Sequence, residues 1–123
     1  MRTGIDIAKI ERFNQKIDDE AFLTRVFTAK ECEHIRSHRT EAGQAERMAG
    51  KFCAKEAVAK ALGCGIGSGV NFIDIEILPN NDGAPVVFLH NYAEKIFSQM
   101  SAKEIAVSIS HEAEYAVANC III

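Results

Sequence analysis

The sequence predicts an α+β fold, a largely antiparallel sheet packed against one long helix, in a single domain over residues 1–123. Three observations predict it. From about Ala42 to Leu62, apolar and small residues recur at helical spacing, and Gly63 follows as a C-terminal cap. From Phe72 to Leu78 the period changes to two, and the turn-rich Pro79–Pro85 sends the chain back as Val86–Leu89. Ile105–Ser110 and Tyr115–Ile123 then form a second pair of apolar segments across His111–Glu114. Runs of strand signal beside one dominant helix, with no βαβ alternation, predict α+β rather than a doubly wound sheet.

The remaining elements follow in chain order. Thr3–Ile7 is short, β-branched and apolar at alternate places, which predicts a strand. Ile7, Ile10 and Phe13–Ile17 supply the apolar side of a first helix. Asp18, Asp19 and Glu20 start a second helical stretch, where acids face the positive end of the helix dipole. Thr28 and Glu31 have the spacing of a capping box, which predicts a helix to about Ser37. Asn91–Met100 reads as a short helix with Tyr92, Ile96 and Phe97 turned inward.

At 123 residues, 48% hydrophobic and 25% charged, the chain can bury a core without disulfide or metal staples. That profile excludes a disordered, collagen-like or coiled-coil chain. No apolar run approaches the 18 or so residues of a membrane span, and Asp6 and Glu11 interrupt the N-terminal apolar pattern. The expected location is therefore the cytoplasm. Cys32, Cys53, Cys64 and Cys120 have irregular gaps and no C-x-x-C pair, so neither a zinc site nor a redox motif is indicated.

Net charge is −3, which does not indicate nucleic-acid binding. Its distribution is uneven. Residues 1–60 hold 12 of the 14 Lys and Arg against 10 acids, net +2; residues 61–123 hold two against seven, net −5. A basic front half suits an anionic ligand or an acidic protein partner.

Several residues stand out for chemistry. Gly63, Gly65, Gly67 and Gly69 form a glycine loop, but it follows a helix, whereas dinucleotide and P-loop motifs precede one. It reads as a cap and turn whose backbone N–H groups face outward and can meet an anion. His34 and His38 lie i, i+4 without the carboxylate of a metalloprotease helix, and read as a solvated helix face. Asp6 places a carboxylate in an apolar strand, a costly arrangement unless it is paired, bound to metal or on an edge. Glu56 and Lys60 share one helix face amid Ala54, Ala57, Val58 and Ala61, with Lys51 and Lys55 adding positive charge nearby. Either they are a surface ion pair or they are a site. Ser110 and His111 end an apolar strand, with no spacing that reads as a hydrolase triad.

Taken together and in order, Gly4-Ile5-Asp6-Ile7, Arg25-Val26-Phe27-Thr28 with Glu31, Ala49 through Gly63, Gly65-Ile66-Gly67, Phe72 through Ile77, the turn with Gly83 and Pro85, and Ser108 through His111 resemble the holo-acyl-carrier-protein synthases. These are the small bacterial 4′-phosphopantetheinyl transferases. The resemblance spans nearly the whole chain. It implies transfer of the 4′-phosphopantetheine arm of coenzyme A to a serine of apo-acyl carrier protein, with release of 3′,5′-ADP and with Mg²⁺ as the metal. By the same resemblance Asp6 and Glu56 match the metal-binding carboxylates and Lys60 the active-site lysine. Lys51, Lys60, Gly63, Gly65, Ser110 and His111 fall on coenzyme A contacts. Arg12 and Arg25 fall on docking positions for the acidic carrier protein, and Lys16 stands beside them. The resemblance also implies a homotrimer with active sites at subunit interfaces.

The residue types agree with that chemistry. Phosphoryl-type transfer needs positioning and charge neutralisation more than covalent help. Mg²⁺ commonly takes one or two protein carboxylates before phosphate oxygens and waters. The serine proton leaves to a carboxylate, for which Glu56 is the better candidate, or to a water on the metal. Two departures from the family pattern are Lys51, where many members carry Arg, and Ala21, where some carry a basic residue. The alternatives are a coenzyme A-binding module without catalysis and an adaptor for acidic proteins; neither requires Asp6, Glu56 and Lys60 together.

Overall fold

The computed structural model describes every residue from Met1 to Ile123. It contains β1 (Arg2–Lys9), α1 (Glu20–Val26), α2 (Ala29–Arg36), α3 (Glu41–Leu62), β2 (Ile75–Pro79), β3 (Pro85–Leu89), α4 (Asn91–Ser98), β4 (Ile105–Glu112) and β5 (Tyr115–Ile122). The expected antiparallel sheet is split. β1, β5 and β4 form one three-stranded sheet in that order, and β2 and β3 form a separate hairpin.

The 22-residue α3 packs across the inner face of the three-stranded sheet. Both surfaces are built from small residues: Ala49, Ala54, Ala57 and Ala61 on the helix, Gly4, Ala8, Ala116 and Ala118 on the strands, all buried. The approach is so close that a Cβ at Gly4 would overlap the Ala57 carbonyl. Larger groups fill the flanks. Phe13, Leu23, Ile35, Met48, Ile75 and Ile77 are at most 2% exposed, each worth about 1.5–3 kcal/mol of burial. Thr40 caps the start of α3 by accepting from Gly43 N–H, and Gly63 ends it at φ 88°, a left-handed conformation open to glycine at little cost.

The capping box is present as expected: Thr28 Oγ1 accepts from Glu31 N–H, and Glu31 Oε1 accepts from Thr28 N–H. Glu31 also does more. Its carboxylate is fully buried, accepts 2.7 Å from Lys55 Nζ, and accepts from Ile77 N–H through its other oxygen. Lys55 donates as well to the Phe72 and Ile75 carbonyls. Lys55 is therefore an internal clamp joining α2, α3 and the start of β2, and adds no free charge to the helix surface.

Four sequence expectations change. Ile7–Ile17 is not a helix: β1 runs on to Lys9 because Ile7, Ala8 and Lys9 pair with Val117, Ala116 and Tyr115. Two short 3-10 turns follow, Ile10–Phe13 and Lys16–Asp18, broken by extended Asn14 and left-handed Gln15 (φ 63°). The alternation from Phe72 begins as a 3-10 turn, Phe72–Asp74, and its polar side is covered. Asp74 accepts from Asn71 N–H and the Asn91 side chain, and Glu76 from Thr28 Oγ1 at 2.6 Å with His90 Nε2 3.1 Å away. Tyr92 lies outward over Gly69, and Ala93 takes the buried place on α4. The β4–β5 turn shrinks to Ala113 and Glu114, since His111 and Glu112 pair with Ala116 and Tyr115.

Candidate functional site

The close crossing of β1 and α3 brings three of the expected site residues together. Lys60 Nζ lies 2.9 Å from the Ile5 carbonyl and 3.4 Å from Asp6 Oδ1. Its partner is thus across on the strand, so Lys60 is not spent on an i, i+4 pair with Glu56. Glu56 shares the field of Asp6. Burial, and then the Asp6 carboxylate, push its carboxyl above the usual range, opposed by Lys60 and Arg12. Cys53 is fully buried and its Sγ donates to the Ala116 carbonyl; burial first and the charge of Asp6 next push its thiol up to about 12. It is therefore a neutral floor for the site.

Asp6 and Glu56 are two hard oxygen donors of like charge, and after burial the charge of Asp6 is the second cause that raises Glu56. A divalent cation would offset those like charges, and two carboxylates are donors of the kind Mg²⁺ takes. Gly63 and Gly65 continue from the same end of α3. Gly63 lies against the Arg2 guanidinium, and Gly65, also left-handed, has open space where a side chain would stand. Their loop turns back on the helix through Gly65 N–H to the Ala59 carbonyl.

A second locus lies toward the N-terminal half of α3. An open pocket of about 210 Å³ is lined by α2, α3, the β2–β3 hairpin and the end of β4. Lys51 and His111 both line it, with His34, Arg47 and Gly83. Lys51 is only 4% exposed; Nζ donates to the Ile77 carbonyl, and burial foremost pulls its pKa down to about 8. Asp6 faces Ile109 across β5 on the sheet, and His111 stands two residues further along. Strand spacing and rise put the two Cα atoms about 12 Å apart. Ser110 alternates with His111, so it occupies the opposite, outer face and does not join the cavity within one chain.

The three basic residues expected at a docking face gather around aromatics. Arg12 stacks over Phe13 and Phe52 (5.7 and 5.2 Å), while Lys16 and Arg25 both lie over Phe22 (5.4 and 5.8 Å). Arg12 also feels Glu56, so this face borders the carboxylate pair. Ala21 is exposed on the same short helix.

The sequence reading of His34 and His38 as a solvated helix face does not hold, since both are half-buried, and Arg47 was not singled out. His34 is half-buried, and Arg47 Nη1 donates to its carbonyl at 2.6 Å and to Ser37 Oγ. His38 is likewise engaged, its ring packed on Gly43 and its Nδ1 accepting from Thr40 N–H. Only the return of β2 against α3 makes the cavity, and no local pattern in the sequence marks that contact.

Comparison with known proteins gives consistent matches. The family described as the 4′-phosphopantetheinyl transferase superfamily matches residues 2–120. A holo-[acyl-carrier-protein] synthase of Caldicellulosiruptor saccharolyticus is 47% identical over 115 residues, 94% of this chain and 89% of that protein. The crystal structure of a holo-(acyl-carrier-protein) synthase from Bacillus anthracis, in complex with CoA (3′,5′-ADP), superposes with a TM-score of 0.80 at 32% identity, covering 98% of this chain and 94% of that one. The Helicobacter pylori holo-[acyl-carrier-protein] synthase, in complex with coenzyme A, gives 0.81 at 30% identity, with 98% of both chains covered.

Proposed function

The chain belongs to the 4′-phosphopantetheinyl transferase superfamily, and we propose that its chemistry takes place where β1 crosses α3, at Asp6, Glu56 and Lys60. The protein is an enzyme that transfers the phosphopantetheine arm of coenzyme A to apo-acyl carrier protein. The observation that supports this reading is the Lys60–Asp6 contact across β1 and α3, with Glu56 within the field of both.

The carboxylates of Asp6 and Glu56 would hold Mg²⁺, which supplies charge neutralisation to the pyrophosphate oxygens of the coenzyme. The serine oxygen of the carrier attacks the phosphorus that bears the pantetheine arm, and the phosphoanhydride bond to 3′,5′-ADP breaks. Lys60, half-exposed and held only by the Ile5 carbonyl and one Asp6 oxygen, has one N–H free to meet that phosphoryl group as charge develops. Glu56, four residues before Lys60 on the same face of α3, is the protein group we assign to take the serine proton. Lys51 and His111 receive the nucleotide end in their cavity, and Gly63 and Gly65 offer backbone to the stretch between. The Arg12, Lys16 and Arg25 face receives the acidic carrier protein beside the carboxylates.

Assembly as a homotrimer accounts for two further features. The outer face of the β1–β5–β4 sheet carries exposed Ile5 (62%), Ile7 (61%) and Ile121 with Val117, an apolar patch of the kind that marks an interface. In one chain the cavity of Lys51 and His111 is separate from the carboxylate pair; Ser110 faces outward, where a neighbouring copy would meet it. A shared active site unites these parts.

Intact-mass spectrometry tests the activity. Apo-acyl carrier protein incubated with this protein, coenzyme A and Mg²⁺ gains one phosphopantetheine while 3′,5′-ADP appears. An unmodified carrier in the presence of bound coenzyme A would instead identify a binding module.

A further inference from the structure

His34 Nδ1 is the buried side-chain polar atom that has no hydrogen-bond partner in this protein. Buried polar groups are almost always paired, so an orphan asks for a reason. His34 itself lines the α2–α3 cavity, with Nδ1 on the shielded side of the ring, beside two cations with spare donors. Lys51 gives one proton to the Ile77 carbonyl and has no other acceptor, and Arg47 is held by the His34 carbonyl and Ser37. The charged and titratable groups that face His34 are Glu46, Arg47 and Lys51 from α3 and His111 from β4; Lys30 and Glu33 flank it on its own helix. The hairpin contributes Ile77, Leu78, Pro79, Gly83 and Pro85, none of which titrates. The carboxylates behind this wall are already engaged, Glu31 by Lys55 and two backbone N–H groups, Glu76 by Thr28 and His90.

The cavity thus sets two cations, Lys51 and Arg47, against one carboxylate, Glu46. Burial first, then Lys51 and Arg47, bring the His34 pKa down to about 4, so its imidazole is neutral. A phosphate monoester reverses both conditions, since it supplies acceptor oxygens and up to two negative charges. We infer that His34 is a phosphate-recognition residue of this cavity, which takes up a proton when the 3′-phosphate of coenzyme A enters and so favours that coenzyme over the form lacking the phosphate. The inference rests on the reading that the nucleotide end of coenzyme A occupies the cavity. Its chemistry is a reversible protonation with no bond made to the phosphate. The neutral-to-charged change turns a weak contact into a charge-assisted hydrogen bond.

The test compares coenzyme A with dephospho-coenzyme A on the full chain, wild type and His34→Gln, a side chain of similar reach that takes no charge. Calorimetric binding at pH 6 and pH 8 is paired with NMR of the histidine ring carbons, the His34 signal being the one absent from the variant. The expected result is that His34 shifts from neutral to protonated on binding coenzyme A at pH 6, and stays neutral with dephospho-coenzyme A. His34→Gln then lowers the preference for coenzyme A by about tenfold at pH 6 and by less at pH 8. The phosphate's own titration is common to both proteins and cancels in that comparison. An unshifted His34 signal in wild type bound to coenzyme A overturns the inference whatever the variant does. So does an equal loss for both coenzymes, which would assign the contact to the diphosphate. Absence of coenzyme binding to wild type would reject the functional reading itself, and the inference with it.

Discussion

At the scale of single residues the account turns on which groups are committed to the fold and which are free. Lys55 is fully committed, with three acceptors around a buried ammonium, whereas Lys60 is half-exposed with one N–H to spare. Lys60→Ala is expected to lower kcat about a hundredfold or more, roughly 3 kcal/mol, with Tm nearly unchanged. Lys60→Arg keeps the charge but alters its shape and reach, so it rescues only in part. An Ala variant within a few-fold of wild type would return Lys60 to the helix surface. His34 gives a pH prediction for the ligand-free protein. Its folded pKa lies below its unfolded value, about 4 against 6.5, so between those pH values the unfolded chain binds more protons. Stability therefore rises with pH from about 4 to 6.5. Melting curves across that window should show a shallower slope in His34→Gln than in wild type; equal slopes would mean the imidazole is already charged when folded. Asp6, Glu56 and Lys60 were legible as residue types, because a carboxylate in an apolar strand and an ion pair amid alanines are visible locally. Lys60 reaching β1 instead of Glu56 was not, since that partner lies 54 residues away.

At the scale of elements, α3 is the organising piece, and the sequence displayed it because its spacing, cap and final glycine agree. The same agreement made the Thr28 capping box legible. The segment after β1 misled because Ile7, Ile10 and Ile17 have helical spacing, yet pairing to β5 wins for Ile7 and Gln15 breaks the rest. The alternating Asp74 and Glu76 misled for another reason: α2 and α4 cover what looked like a solvent face, and only the assembled fold supplies their donors. Glu31 ties α2 to α3 and β2, so Glu31→Ala leaves Lys55 buried and unpaired. The expected cost is about 3–5 kcal/mol in equilibrium urea unfolding. A loss under 1 kcal/mol would show that the clamp does not hold these elements together. Gly4→Ala is expected to be comparably damaging, because its Cβ meets helix backbone that cannot move aside.

At the scale of the whole molecule, the strands leave an isoleucine-rich outer face while the inner face is closed by α3. The proposed trimer predicts that Ile5→Asp, whose side chain points to the face opposite that of Asp6, leaves a monomer in light scattering and abolishes transfer with it. An active monomer would place the complete site within one chain. Residues 1–60 carried the basic excess in the sequence, and Arg12, Lys16 and Arg25 now stand together on aromatic rings. The grouping was not legible in the sequence, because Phe22 and Phe52 come from different helices. The family was legible from ordered fragments along the whole chain, whereas the cavity and the outer face arise from contacts between distant segments. The most direct measurement is the intact mass of apo-acyl carrier protein after single-turnover incubation with coenzyme A, Mg²⁺ and either wild type, Asp6→Ala or Glu56→Ala, each checked for an unchanged Tm. The account predicts one added phosphopantetheine with wild type and an unmodified carrier with both folded variants. Full modification by either variant would contradict the placement of the reaction at the β1–α3 crossing.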